Sequence, residues 1–372
     1  MKSSIIIKCF RVIIIYSVFF TTNGNAAVKD SVQTNPKYEE CTHPGKYEPI
    51  GVFASCCTGK TDWTFSYSYM NMYCKGNQMG TDKASDQMVF QQYGYMMAPN
   101  TMNMQMHMLM VMYGISSRFS AMAMAGYNIN TMTMNGIPDN MMHAMTGMPS
   151  GTMYMPAATK TSGIGDTKVY LLYKLFQECH YNVIVGGGIN IPTGSTTLNG
   201  SNMLGDNQRL AYPMQLGTGT WNILPSITYF GQRNITDKNI LSYGIETKAD
   251  IKPANNSLGY SYGNQYNLSA WVSYKLYNWI SCSARIEGIS QDKISGFDPA
   301  VYPLMYNDPS ANPENFGGKW LNTYLGLNFY INKTAFKDLR FLVEYGMPVY
   351  QNLNGTQMTI NSTLQAGCKY SF

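Results

Sequence analysis

The last thirteen residues keep a strict two-residue rhythm: Ile360, Ser362, Leu364, Ala366, Cys368, Tyr370 and Phe372 fall on one side, and Asn361, Thr363, Gln365, Gly367, Lys369 and Ser371 on the other. A period of two is the period of a β-strand, and a strand with one oily and one hydrophilic face separates an apolar medium from water. The pattern also fixes register, because a one-residue slip would exchange the two faces. Any fold proposed for this chain must therefore give such strands two different surroundings.

The same alternation recurs along the chain. Leu321, Thr323, Leu325, Leu327, Phe329 and Ile331 interleave with Asn322, Tyr324, Gly326, Asn328, Tyr330 and Asn332, and Leu339, Phe341, Val343 and Tyr345 interleave with Arg340, Leu342, Glu344 and Gly346. Counting such segments predicts about twelve strands, starting with 61–74, 101–113 and 118–134, including one at 216–230, and ending with 339–352 and 358–372. Short connections, such as Gly114 to Ser117, alternate with long ones at 75–100, 135–165, 193–215 and 297–318. The expected fold is all-β: a transmembrane antiparallel β-barrel with short periplasmic turns and long outer loops, in the bacterial outer membrane. Its partners are then outer-membrane lipid and, through the C-terminal Phe372 with Tyr370 two places earlier, the barrel-assembly machinery.

Charge placement is an independent check on this reading. Asp166, Lys168, Lys174, Glu246, Lys248, Lys275, Arg285, Glu287, Arg340, Glu344 and Lys369 all fall on the parity opposite the apolar face. A Lys or Arg at the lipid midplane of a barrel costs about 2–4 kcal/mol, so the expected place for these groups is the lumen. Lys168, Lys248, Arg285, Glu287, Arg340 and Glu344 are accordingly assigned as lumen charges that tune selectivity. A soluble β-sandwich also alternates, but it explains neither the terminal Phe nor the asymmetry of the loops.

The two ends of the chain complete the layout. Lys2, Lys8 and Arg11 surround an apolar run from Val12 to Phe20 that leads to Gly24-Asn25-Ala26, the pattern of a secretory signal peptide spanning 1–26. Residues 27–60 then form a periplasmic N-terminal segment or plug, and 61–372 the barrel. No further run of eighteen apolar residues supports a helical span, and mean hydropathy is −0.21. Only 13% of residues are charged, against about 25% in soluble domains. The net charge of +5 makes no case for nucleic acid.

Methionine is concentrated in one place: residues 96–155 hold 18 of the 28 in the chain. Met102, Met104, Met106, Met108, Met110 and Met112 occupy one face of a strand whose other face carries Leu109, Val111 and Tyr113. On the next strand the lipid-like set is Phe119, Ala121, Ala123, Ala125, Tyr127 and Ile129, which turns Met122, Met124, Met132 and Met134 inward. The methionine ladder is therefore expected inside, with Met70, Met72 and Cys74 of the first strand beside it. Thioether and thiolate ligands select Cu(I) and similar soft ions, so these residues, together with Met142, His143 and Met145 of the long loop, are candidate metal ligands with Cu(I) as cargo. The alternative is that flexible methionine gives an adaptable apolar lining to a passive pore for small aromatic or apolar solutes. A structural or adhesive surface protein using its long loops is a third reading. No catalytic or phosphate-binding motif is present, and the four histidines are scattered, so no enzyme is expected.

Of the cysteines beyond the signal, Cys41, Cys56 and Cys57 precede the first strand, where either a disulfide or a soft-metal site is expected, while Cys282 and Cys368 fall on lipid-facing parity.

Four short blocks can be placed together: Gly163-Ile164-Gly165-Asp166, Ile191-Pro192-Thr193-Gly194, Pro213-Met214-Gln215-Leu216-Gly217-Thr218-Gly219-Thr220 and Pro348-Val349-Tyr350-Gln351. In these the chain, from about Pro49 to Phe372, resembles the outer-membrane transporter family named after the MetA pathway of phenol degradation. That resemblance implies a barrel channel without catalysis. Members carry Pro-Ile-Gly-Val, then a His-x-His stretch and a Trp. Here Pro49-Ile50-Gly51-Val52 and Trp63 are kept, while Cys56 and Thr58 stand where the histidines fall. The family's substrate does not carry over, because fold transfers more safely than cargo.

Overall fold

The computed structural model describes residues 47–52, 60–138, 141, 158–178, 180–235, 239–331 and 338–372. The expected signal peptide, Cys41, Cys56, Cys57, Cys179, Met142, His143 and Met145 lie outside these residues.

Eleven long strands form one sheet: β1 (Trp63–Gly80), β2 (Met97–Gly114), β3 (Phe119–Gly136), β4 (Thr167–Gln177), β5 (Tyr181–Ile191), β6 (Asn222–Asn234), β7 (Ile240–Asp250), β8 (Gln265–Tyr277), β9 (Ile280–Gln291), β10 (Gly318–Tyr330) and β11 (Arg340–Ser371). Each pairs with the next and β11 pairs with β1, so the sheet closes on itself and its long strands leave no open edge. An odd number of strands cannot close with antiparallel pairing throughout, and β11 supplies the missing reversal. Its first arm pairs with β10 as far as Gly318↔Leu353, and its second pairs with β1 from Gly80↔Leu353 to Thr64↔Ser371. The 32-residue β11 therefore turns back at Leu353–Thr356, and the wall has twelve staves.

The faces sort as the alternation requires. Leu109, Leu325, Ile189 and Phe341 are exposed on the outside, while Leu172, Ile184 and Leu224 are buried inside. Aromatic side chains cluster at the turn end: Phe65 stacks on Phe372 at 5.9 Å, Trp63 lies 4.6 Å from Tyr113, and Phe119 lies 4.7 Å from Tyr173. This is the girdle that anchors a barrel at a bilayer interface. The charges assigned to the inner face turn inward. Asp166, Lys168, Lys248, Arg285, Glu287 and Lys369 line the lumen. Lys174, Glu246, Arg340 and Glu344 are buried, and Lys275 reaches over the ring of Tyr47.

Two expectations need correction. The strand expected at 216–230 begins only at Asn222, because the amides of Leu216 and Gly217 are both spent on the Ser195 carbonyl and that segment folds into the barrel. The final strand also does not alternate to its start. Tyr73 faces Ser362 while Cys74 faces Ile360, so the bulge at Asn361 flips the parity. Ile360, expected toward lipid, packs instead against Cys74 and Met102 within the lumen, as does Met358.

On β2, the outward face is apolar at Leu109, Val111 and Tyr113 but polar at Asn103, Gln105 and His107, and His107 accepts or donates a hydrogen bond with the Tyr67 hydroxyl at 2.9 Å. The loop-end half of the methionine-bearing wall therefore rises beyond the apolar belt.

Candidate functional site

Strand pairing sets the sulfur groups in rungs. Cys74, Met102 and Met132 lie side by side across β1, β2 and β3, followed by Met72 beside Met104 and Met70 beside Met106. Further toward the turns come Met110 beside Met124 and Met112 beside Met122. Successive rungs are about 6.8 Å apart, two strand residues. The column from Met102 to Met112 therefore runs down one wall of the lumen, from the loop end beyond the apolar belt to the turn end within it.

The rungs differ in what surrounds them. Met104, Met106, Met108, Met110 and Met124 line an open cavity of about 870 Å³. Met112 and Met122 are sealed in a core with Val52, Leu172, Ile184, Phe230 and Trp271. At the loop end, Cys74 and Met102, which border the same cavity, are buried with Met132, Leu210 and Met214, and Met72, Met104, Met134 and Met358 pack around them. Among the described residues no three His, Cys, Asp or Glu side chains gather in a metal-ligating group, so any ligation here must rest on thioethers and one thiol.

Ion pairs line the lumen beside and across from the methionines, starting at Lys168, the register partner of Met124. Lys168 lies 3.9 Å from Asp250, Lys252 lies 3.1 Å from Asp250, and Lys248 lies 3.6 Å from Glu246. Burial pushes the Lys252 ammonium down, offset in part by Asp250. The cavity thus combines soft and charged groups.

A segment before the barrel closes the turn end of the lumen. Arg285 donates through Nε and Nη2 to both carboxylate oxygens of Glu344, at 3.1 and 2.9 Å, and sits 3.8 Å from the ring of Tyr324. The Gly51 amide donates to Glu344 at 3.2 Å, and a Cβ on Gly51 would collide with the Arg285 guanidinium, so only glycine fits at this approach. Glu48 receives Lys369 at 3.2 Å and faces Arg340 at 3.8 Å, while Asn328 donates to the carbonyls of Tyr47 and Glu48. Arg340 and Glu344, expected as lumen charges that tune selectivity, contact Glu48 and Gly51 of Tyr47–Val52. The alternation that placed them inside gave no sign of that partner, although Pro49-Ile50-Gly51-Val52 stood out by resemblance.

A second inward segment narrows the loop end. Asp166 accepts hydrogen bonds from the Gly194 amide at 3.0 Å, the Asn190 side chain at 3.0 Å, and the Thr218 amide and hydroxyl at 2.9 and 2.6 Å. Gly194 and Gly217 touch back to back, with 2.6 Å between a Cβ built on Gly194 and the Gly217 Cα, so neither position has room for a side chain. Asn130 donates to the Pro213 carbonyl at 3.3 Å and Thr161 to that of Met214 at 2.8 Å, which pins the segment against β3 and its partner strand Thr159–Ile164. Three of the four blocks singled out in the sequence thus meet at one carboxylate.

A closed antiparallel wall with an apolar belt, an aromatic girdle and inward charges defines a transmembrane β-barrel of the bacterial outer-membrane type, here with a lumen narrowed at both ends. The fold is shared with an outer membrane channel from Pseudomonas putida F1, which aligns with a TM-score of 0.54 at 13% identity over 89% of this chain and 100% of that one. More distant likenesses are the KdgM porin, with a TM-score of 0.37 at 11% identity over 83% of this chain and 99% of that one, and a Pseudomonas aeruginosa FadL homologue, with 0.40 at 10% over 88% and 96%. No family model and no curated protein matches the sequence.

Proposed function

We propose that this barrel is an outer-membrane channel that takes soft monovalent cations, Cu(I) or Ag(I), along its methionine wall. One observation carries the reading: Met104, Met106, Met108, Met110 and Met124 border the open cavity instead of facing lipid. Thioethers bind soft ions in preference to hard ones, and a series of similar, weak sites lets an ion enter and leave again. Passage requires Tyr47–Val52 to give way, since this segment fills the turn end.

The test is silver flux into vesicles holding the purified full-length protein. Wild type is expected to pass Ag(I). Met104→Leu, Met106→Leu and Met108→Leu combined should lower the flux at least tenfold while folding normally, since Met-to-Leu exchanges usually cost less than about 1.5 kcal/mol each. Unchanged flux in that variant would sink the reading.

A second reading is favoured by Tyr170, Tyr262, Phe316 and Trp320, which share the cavity with the thioethers and give it an apolar, adaptable lining. A passive pore of this kind would admit small phenols into the same vesicles and be indifferent to silver.

A further inference from the structure

The sulfur wall is not uniform, and its loop end differs in kind from the rest. Cys74, Met102 and Met132 sit side by side on three strands, with exposures of 6%, 3% and 4%. Met214, at 0%, descends onto them from the inward segment, its backbone held by Thr161 and by Ala211. Four sulfur-bearing side chains from four separate stretches of chain thus meet in one buried cluster. Leu210 and Ile360 in the same cluster show that aliphatic side chains fit there too. Sulfur at the four central positions is therefore not dictated by space alone.

The decisive difference is charge. A cation held by thioethers alone brings an uncompensated charge among largely buried side chains, which is costly. Cys74, a free cysteine, can supply the compensation: M⁺ + Cys–SH → Cys–S–M + H⁺, with the proton leaving to solvent and no change of oxidation state. Thioether rungs then act as places of transit, and the rung with a thiol as a place of retention.

We propose that Cys74, Met102, Met132 and Met214 form a high-affinity site for a soft monovalent cation at the loop end of the lumen, where the open thioether column ends in a buried cluster. The site rests on the soft-cation reading above and deepens it. Because Met214 belongs to the inward segment and the other three to the wall, a bound ion ties that segment down.

The probe is Ag(I), which needs no reductant, added to the refolded full-length protein with its other cysteines replaced by serine and its fold checked by heat-modifiable electrophoretic mobility. One tightly held silver per chain is expected, with one proton released and apparent affinity rising about tenfold per pH unit. Cys74→Ser and, independently, Met214→Leu should each weaken this binding at least tenfold, and only Cys74→Ser should abolish proton release. The lipid-facing Met347→Leu should behave as wild type. Retention of tight silver with proton release in Cys74→Ser overturns the site, as does the absence of any tight silver in the parent protein. Flux measured in vesicles separates the two readings: flux without a retained ion removes this site and leaves the channel, whereas a retained ion without flux removes the channel and leaves the site.

Discussion

Arg285 is the residue on which the inside of the barrel turns. Its bidentate pair with Glu344, a second contact to Glu287 at 3.4 Å and its place over Tyr324 leave it 3% exposed. Removing one partner of such a pair strands the other in a dry site, which typically costs 3–5 kcal/mol. Arg285→Ala is therefore expected to lower the unfolding free energy by about that amount in urea titrations of the refolded protein. Arg285→Met, which keeps the volume but still strands Glu344, should recover little. Asp308 makes the stability of its loop depend on pH. It caps the turn Pro309–Ala311 by accepting from the Ser310 amide at 2.8 Å and hydroxyl at 2.7 Å, yet burial pushes its carboxyl up to about 6. A carboxyl whose folded value lies above its unfolded one favours the folded loop most at low pH. That contribution is fully present below about 4 and is lost as pH rises through about 6. Hydrogen exchange in 308–316, corrected for intrinsic rates, should thus be slower at pH 4.5 than at pH 7.5, and Asp308→Asn should erase the difference.

Among the elements, the two inward segments are what narrow the lumen at its two ends. Tyr47–Val52 is held by polar contacts to Glu344, Asn328, Lys369 and Arg340 and by the packing of Val52. Gly51→Ala should push either the segment or Arg285 aside. Single-channel conductance in planar bilayers is expected to rise severalfold in that variant, and an unchanged conductance would mean that the segment is no obstruction. At the loop end, Asp166→Ala removes four hydrogen bonds that join Gly194, Asn190 and Thr218. Protease nicking between 193 and 220 should then accelerate while the wall stays intact, because no strand ladder depends on that carboxylate. The bulge at Asn361 belongs to this scale as well: by flipping the parity it brings Met358 and Ile360 into the sulfur cluster.

For the whole molecule, closure is the organising event. Phe372 exchanges backbone hydrogen bonds with Trp63 in both directions, at 3.0 and 2.8 Å, and stacks on Phe65, so the last residue also forms the final rung that joins the two ends of the sheet. Deleting Phe372 should reduce the heat-modifiable, folded fraction recovered from outer membranes. If in vitro refolding into detergent is reduced equally, the loss lies in closure; if refolding is normal, it lies in recognition during assembly.

Much of this architecture was legible in the sequence for a simple reason. In a barrel wall the neighbours of a side chain are lipid or lumen, and a period of two states which, so Leu321–Ile331, the inward charges and the methionine column could all be placed from residue type and parity alone. Parity is a local property, and it fails where contacts are made across the lumen. It could not show that Leu216–Thr220 folds inward, since that depends on Asp166 and Ser195 from other loops, or that Arg340 and Glu344 would be claimed by Glu48 and Gly51 from nearly three hundred residues earlier. Nor could it bring Met214 onto Cys74. The sequence by itself determined which way each strand residue faces, because the bilayer imposes that choice on every stave separately. Only the tertiary structure decided what fills the space enclosed, because that space exists only once the ring has closed.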